Sequence, residues 1–228
     1  MEDLISLVTH PSRYLGEEIN IIKKDLTQVS LSICLAFPDV YEIGMSHLGL
    51  HILYHLLNER RDIAAERVYA PGLDMEQVLR EKSRKLTSLE STCPVDNFDL
   101  LGFSLQYELS YTNIVNMLDL SGIPLYASQR SETFPLIIGG GPCAFNPEPL
   151  ADFFDAFVIG DGEEVMLEIS DCVIRAKREG VSKKDLLYSL SCIEGVYIPS
   201  LFEVCYEDNG TVKDIIPLIK DYQRVNKR

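Results

Sequence analysis

The sequence predicts an α/β protein built on a doubly wound parallel sheet of five strands. Between residues 30 and 180, apolar runs of strand length alternate about five times with helical segments, which is typical of parallel sheets with right-handed crossovers. The first run, at 30–36, is apolar at nearly every position, as in a strand buried on both faces. We expect this domain at 30–180, after a lead-in arm at 1–29 and before a C-terminal extension at 181–228.

The five predicted strands are short apolar segments that end at turn residues. They lie at 30–36, 65–70, 99–105, 135–138 and 156–159, with a further short edge strand expected at 86–90. Apolar residues at i, i+3 and i+4 predict helices between them, at 46–59, 74–85, 108–120 and from the acidic turn at 160–164 to about 179. In the first helix, the expected buried stripe is Met45, Leu48, Gly49, Ile52, Leu53, Leu56 and Leu57.

The extension has a different pattern, with one short helix at 183–192 and a β-hairpin. Strands at 201–206 and 212–216 flank the turn sequence Glu-Asp-Asn-Gly, which is a strong hairpin signal. The polar residues at 221–228 are expected to form a linker. In the main domain, Asp161 and Glu164 have the spacing of a capping box.

Composition limits the classes of function. Lys and Arg number 21 against 35 Asp and Glu, which gives a net charge of −14 and argues against direct binding of nucleic acid. The six cysteines include no C-x-x-C pair, so a local metal clip is not expected. Without a secretory signal, we expect a cytoplasmic protein with reduced thiols. No apolar run approaches ~20 residues, so no membrane span is expected.

Three loops at the predicted strand ends form the candidate site. Parallel strands end at one edge of a sheet, so these loops can converge on one ligand, although such loops occur in any α/β domain. Glycines there let a bulky ligand approach the backbone. The candidate binding residues are Asp39, Tyr41, Gly44, Ser104, Gln106, Gly139, Gly140, Gly141 and Pro142.

Several other sequence patterns give no positive evidence for a catalytic or metal site. The glycine run fits neither a dinucleotide fingerprint nor a P-loop, and no serine-hydrolase elbow is present. His47, His51 and His55 are spaced four residues apart, and a solvated or partner-facing helix surface is favoured over a metal site. Glu163 and Glu164 are interpreted as helix-capping acids. Cys143, beside the glycine turn, is the cysteine to test for reactivity.

These loops resemble the cobalamin-binding fold, whose pattern is D-x-H-x-x-G, then S-x-L, then G-G. Asp39 and Gly44 follow the first strand, Ser104 the third and the glycine run the fourth. The sequences Gly-Gly-Gly-Pro-Cys-Ala-Phe-Asn-Pro-Glu-Pro at 139–149 and Phe-Asp-Ala-Phe-Val-Ile-Gly-Asp-Gly-Glu at 154–163 are similar to those of cobalamin-type radical SAM proteins. The resemblance covers about 30–180.

Two departures from that family qualify what the resemblance implies. Position 41 is Tyr where the family has its axial His, and a phenol is a poor cobalt ligand at neutral pH. A corrinoid here would therefore bind without a histidine ligand. The chain also lacks C-x-x-x-C-x-x-C, so the [4Fe-4S] cluster and S-adenosylmethionine are expected in a catalytic radical SAM barrel beyond Arg228, which would be the domain's partner.

Three functions remain open at this point. The first is a cobalamin-binding domain of a radical SAM enzyme that holds a corrinoid or positions substrate. In it, Asp39, Tyr41 and Gly44 would shape the lower face of the cofactor, and Ser104 and the 139–141 glycines would surround its nucleotide tail. The second is a vestigial Rossmann-like scaffold that has lost cobalamin. The third is an independent flavodoxin-like nucleotide binder. An open channel between the Asp39 and Gly139 loops favours the first function, and bulky side chains that fill it favour the second. A bound flavin is needed for the third.

Overall fold

The core of the protein is a six-stranded sheet. The computed structural model describes residues 2–220, 222 and 224–228. The strand order is β2-β1-β3-β4-β5-β6, parallel except for antiparallel β6. The strands are β1 (Leu31–Phe37), β2 (Ile63–Tyr69), β3 (Leu100–Ser104), β4 (Leu136–Gly140), β5 (Ala156–Val158) and β6 (Val196–Tyr197). A separate antiparallel hairpin comprises β7 (Phe202–Tyr206) and β8 (Val212–Pro217), which confirms the predicted hairpin.

Seven α-helices accompany the strands in the described residues. They are α1 (Glu2–Ile5), α2 (Tyr41–Met45), α3 (Leu48–Glu59), α4 (Leu73–Glu81), α5 (Tyr111–Leu120), α6 (Gly162–Glu179) and α7 (Lys183–Ser191). Short 3-10 helices include Pro142–Phe145 and Glu148–Phe153. The long α/β alternation of the sequence is thus confirmed, because each parallel strand leads through a crossover to the next.

Two apolar cores, one on each face of the sheet, make the fold doubly wound. Leu50 and Tyr54 of α3 pack with Ile169 of α6 on one face. Met75 of α4 and Ile114 of α5 pack on the other. Alternate residues of each strand enter opposite cores, which explains why the central strands are apolar throughout.

The sheet differs from the prediction at both edges. The predicted count of five strands is one short, because the two residues of β6 pair with β5 and are too few to give a sequence signal. The expected strand at 86–90 is not formed. This segment covers the edge of β2 irregularly, with Leu89 N donating to Arg67 O at 2.8 Å.

The predicted buried stripe of the first helix is confirmed at Leu57, which is fully buried, but is wrong at Leu48 and Ile52. The buried residues of α3 are Leu50, Tyr54, Leu57 and Asn58, whereas Leu48 is 72% exposed and Ile52 40% exposed. Apolar residues occupy most faces of this helix, so the periodicity of the sequence was compatible with two different buried faces. The contact between Tyr54 and the lead-in arm, through hydrogen bonds with Ile22, belongs to the face that is buried.

Two predictions near the C-terminal half need correction as well. Asp161 occupies the N-cap position of α6, but its side chain makes no capping hydrogen bond, and Glu164 instead accepts from Arg228 at 3.1 Å. Within the predicted linker, Tyr222 is buried and Arg228 N donates to Ile159 O at 3.0 Å. Positions 221 and 223 lie outside the described residues. No helix in the described part of the chain combines the length and the apolar character that crossing a membrane requires.

Candidate functional site

A cavity of about 440 Å³ opens at the carboxyl edge of the sheet, on the face covered by α3 and α6. Strand alternation builds its floor, because residues two apart in a strand face the same side. Four neighbouring strands, β1, β3, β4 and β5, contribute to it. The floor residues are Leu35, Gly102, Ser104, Ile138, Gly140 and Val158.

Helices and loops complete the cavity. Its walls come from the N-terminal halves of two helices: α3, which follows β1 after the short helix α2, and α6, which begins shortly after β5 ends. The wall residues are His47, Gly49, Leu53, Gly162, Glu163 and Met166. Loops at the strand ends and the C-terminal segment line the rest, through Gln106, Gly141, Pro142, Phe145, Gly160, Asp161 and Lys227. The site therefore draws on parts of the chain from residue 35 to residue 227.

Three glycines of the cavity are not required by the packing of the chain. A Cβ built on Gly102, Gly140 or Gly162 would meet no heavy atom closer than 3.7 Å, an ordinary contact. Gly141 is different, because its φ of +116° suits glycine and its Cβ would lie 2.9 Å from Leu105 O. The space beside the first three glycines is thus open to a ligand rather than filled by the fold.

Several polar side chains of the cavity are available to bond a ligand. In the part of the chain that the structure describes, the side chains of Ser104 and Gln106 have no hydrogen-bond partner. Lys227 Nζ lies 5.7 Å from the centre of the Phe145 ring. Asp161 and Glu163 also line the cavity and bring negative charge to it. Donors and acceptors are therefore available to a polar ligand above an apolar floor.

The structure separates the nine predicted binding residues into two groups. Ser104, Gln106, Gly140, Gly141 and Pro142 line the cavity. The other four do not line it. Their positions are Asp39, Tyr41, Gly44 and Gly139.

These four residues have contacts of their own. Asp39 Oδ1 accepts from Val40 N at 2.7 Å. A Cβ on Gly44 would lie 2.3 Å from the Tyr69 ring, and one on Gly139 would lie 2.8 Å from Leu105 Cδ1 in the opposite core. Close packing thus accounts for both glycines.

Tyr41 is held away from the cavity by the lead-in arm. Its hydroxyl donates to Glu18 Oε1 at 2.9 Å, and its ring meets that of Tyr69 edge-on. Burial, followed by the Glu18 hydrogen bond, raises the pKa of Tyr41 to about 12. The phenol therefore stays neutral and bound to a carboxylate at physiological pH.

The three histidines of α3 have separate roles. His47 Nδ1 accepts from Leu50 N at 3.1 Å and caps the helix, so a neutral ring carries its proton on Nε2. His51 Nε2 lies 2.7 Å from Met45 O, and His55 packs edge-on against Tyr54. Among the described residues, no cluster of three metal-ligating side chains occurs.

Cys143 is a poor candidate for a reactive thiol. It is 9% exposed, and burial, with the Glu108 charge as a smaller cause, raises its pKa. A raised pKa disfavours the nucleophilic thiolate. All six cysteines are free, but only Cys34 and Cys143 are buried.

Sequence reasoning missed several residues of the cavity. Gly102 lies inside a buried strand, where an isolated glycine often marks the close approach of a ligand or of another backbone, so a signal for it existed. His47, Phe145 and Lys227 had no such signal. They meet only because α3, the loop after β4 and the C-terminal segment are folded together.

Comparison with known proteins identifies one family and one similar protein. Residues 49–199 match the family described as "Radical SAM proteins, N-terminal". The chain is also similar to the uncharacterized protein MJ0966 of Methanocaldococcus jannaschii, at 27% identity over 142 residues. That match includes 60% of this chain and 26% of the relative, so the chain spans about a quarter of the relative's length.

Proposed function

The chain belongs to the radical SAM N-terminal family, and on this premise we propose that it binds a corrinoid whose nucleotide tail enters the cavity at the carboxyl edge of the sheet. The observation that carries this proposal is the open space beside Gly102, Gly140 and Gly162, which packing of the chain does not require. A bound corrinoid supplies a cobalt centre for group-transfer chemistry, whereas this chain holds and orients it.

The size and lining of the cavity fit the tail of such a cofactor. Its volume of about 440 Å³ lies within the range of about 300–1,000 Å³ for small-molecule sites. Leu35, Ile138 and Val158 offer an apolar floor to a flat aromatic base. The side chains of Ser104 and Gln106 are free to bond the sugar and phosphate oxygens, and Lys227 offers a cation to the phosphate.

The rim of the opening suits the macrocycle of the same cofactor. Leu48 is 72% exposed, Tyr107 59% and Phe145 57%. Phe145 lines the cavity itself, and the other two adjoin lining residues in the sequence. Exposed apolar side chains beside a cavity are suited to contact a large apolar ligand, so we propose that these three pack against the corrin ring.

The proposed complex has no protein ligand to cobalt. Tyr41 bonds Glu18 and lies outside the cavity lining. His47 lines the cavity, but its Nδ1 caps α3, and the proton on Nε2 removes the lone pair that a metal needs. The residues around the tail would then account for most of the affinity.

The rest of the radical SAM machinery is proposed to lie outside these 228 residues. The chain contains no C-x-x-x-C-x-x-C motif. The resemblance to radical SAM proteins associates this motif with the [4Fe-4S] cluster and S-adenosylmethionine. We propose that a catalytic barrel in the same longer polypeptide supplies them and is the domain's working partner.

Titration of the chain with hydroxocobalamin and methylcobalamin tests the proposal. We expect saturable binding by calorimetry and a base-off visible spectrum, in which the cofactor's own base has left cobalt for the cavity. Tyr41→Phe should leave the spectrum unchanged. A spectrum that changes in this variant would contradict a complex without a protein ligand.

The alternative is a scaffold that has kept the fold and lost the cofactor. Absence of heat and of spectral change, both in this chain and in a longer one that includes the proposed barrel, would favour the scaffold. A flavin chromophore in the purified protein would instead favour a nucleotide binder of flavodoxin type.

A further inference from the structure

The floor of the cavity at the carboxyl edge has an inner layer of three residues that lie side by side across the sheet. In the register of the strands, Gly102 of β3 pairs with Leu35 of β1 and with Ile138 of β4. All three line the cavity, and none of them carries a polar side-chain atom. The inner layer is therefore apolar over the width of three strands.

An outer layer lies two residues further along the same strands, at the carboxyl edge itself. Here Gly140 of β4 pairs with Ser104 of β3 and with Val158 of β5. A strand rises by about 3.3 Å per residue, so the two layers are about 6.6 Å apart, roughly the length of a fused two-ring base. The hydroxyl of Ser104 belongs to the outer layer.

The helices above the floor have their polar side chains at the same end. α3 and α6 begin near the carboxyl edge and run back toward the amino edge, as helices that follow parallel strands do. Successive residues therefore lie about 1.5 Å deeper. His47 and Glu163 line the cavity from the helix starts, whereas Leu53 and Met166 line it from the second turns. The deeper helical residues are thus apolar as well.

The remaining polar side chains of the cavity come from segments that lie beyond the strand ends. They belong to Gln106, Asp161 and Lys227. Among the lining residues that the structure describes, every polar side chain therefore lies at the outer layer or at the opening. A polar atom of a ligand at the inner layer would find no side-chain partner there, and burial without a partner is costly.

We propose, on the basis of the corrinoid function above, that the inner layer selects the base of the nucleotide tail, accepting 5,6-dimethylbenzimidazole and discriminating against adenine. The sugar and phosphate stay at the opening beside Ser104 and Lys227, so the six-membered ring of the base reaches the inner layer. In dimethylbenzimidazole this ring carries methyl groups, which suit Leu35 and Ile138. In adenine it carries ring nitrogens and an amino group, which would lose water and gain no partner.

The test compares the free ribosides of the two bases, because in a whole corrinoid each base also has its own affinity for cobalt. The chain, labelled at Ile and Leu methyl groups, is titrated with α-ribazole, the dimethylbenzimidazole riboside, and with adenosine. The signals of Leu35 and Ile138 report binding at the inner layer. We expect α-ribazole to bind at least about tenfold more tightly than adenosine, since buried polar groups without partners reduce affinity by roughly that factor.

A matched pair of variants locates the selectivity at the inner layer. Ile138→Val and Ile138→Thr shorten the side chain equally, but only threonine adds a hydroxyl, which can donate to or accept from adenine. Ile138→Val should keep the preference for α-ribazole, and Ile138→Thr should lower it at least about threefold relative to Ile138→Val. Ser104→Ala, in the outer layer, should weaken both ribosides and leave their ratio unchanged.

The outcomes separate this selectivity from the corrinoid function. Equal affinities for the two ribosides, in a chain that binds cobalamin, would overturn the selection of the base and leave the corrinoid function standing. A preference for α-ribazole in a chain that binds no corrinoid would contradict that function but support the apolar selectivity of the inner layer. A ratio in Ile138→Thr equal to that in Ile138→Val would mean that the base does not reach the inner layer, which also overturns the proposal.

Discussion

Gly139 and Gly140 are neighbours in β4 but face opposite sides of the sheet. A Cβ on Gly139 would lie 2.8 Å from Leu105 Cδ1 and 3.0 Å from Phe157 Cδ1, within one core, whereas a Cβ on Gly140 would have Val158 Cβ as its nearest neighbour at 3.7 Å. Adjacent glycines therefore have different roles: the first permits close packing, and the second leaves the cavity open.

The first prediction contrasts substitutions at these two positions. Gly139→Ala overpacks a filled core and should lower the free energy of unfolding by about 1–3 kcal/mol, measured by urea denaturation. Gly140→Val places its methyl groups in the cavity, so stability should change by less than about 1 kcal/mol. If the proposed function holds, Gly140→Val should weaken corrinoid binding at least tenfold. Equal loss of stability in both variants would contradict the assignment of their faces.

The second prediction concerns the buried carboxylate of Asp155. Its Oδ2 accepts from Ile137 N at 2.8 Å and from Arg130 at 3.3 Å, and its Oδ1 lies 2.9 Å from Lys183 Nζ. Asp155→Ala leaves two cations without their partner and should cost about 3–5 kcal/mol of unfolding free energy. Asp152→Ala, three residues earlier and exposed, is the matched control and should cost little. A small loss at Asp155 would show that the cations find other partners.

The third prediction is an alkaline loss of stability through Tyr54. Burial, with the Glu90 charge as a second cause, raises the pKa of Tyr54 to about 12, against about 10 in an unfolded chain. The contribution of Tyr54 to the free energy of unfolding is complete below pH 10 and is lost as the pH rises to 12. At 1.36 kcal/mol per pKa unit, this contribution is at most about 2.7 kcal/mol. Urea denaturation at pH 8–12 measures it.

Two tyrosine variants serve as controls for this titration. Tyr54→Phe should lose stability at pH 8, because two hydrogen bonds with Ile22 disappear, yet show a shallower decline above pH 10. Tyr107→Phe, at a side chain 59% exposed, should leave the decline unchanged. An unchanged slope in Tyr54→Phe would rule out Tyr54 as a source of the pH dependence.

The fourth prediction concerns thiol reactivity. The pKa of Cys143 is raised by burial, whereas Cys192 is exposed. Iodoacetamide at pH 8 should therefore modify Cys192 at least about tenfold faster than Cys143, because alkylation needs an accessible thiolate. Peptide mass spectrometry over time measures both rates. Rapid modification of Cys143 in the folded protein would mean that the loop after β4 opens readily.

The sequence by itself determined the class of the fold. Apolar runs at 30–36 and 99–105 are long and buried on both sides, so their pattern has few alternatives, and the hairpin turn at 207–210 fixes its own geometry. It also located the carboxyl edge as the candidate site, because strand direction follows from the alternation of strands and helices. These features depend on residues close together in the chain.

Only the tertiary structure decided which side chains meet. The buried face of α3 was ambiguous because Leu48, Leu50 and Ile52 are all apolar, and the packing of Leu50 and Tyr54 against the sheet settled it. The separation of Tyr41 from the cavity depends on Glu18 of the lead-in arm, and Lys227 reaches the opening through the C-terminal segment. Contacts between residues so far apart in sequence depend on how helices and arms pack, and local patterns do not encode that packing.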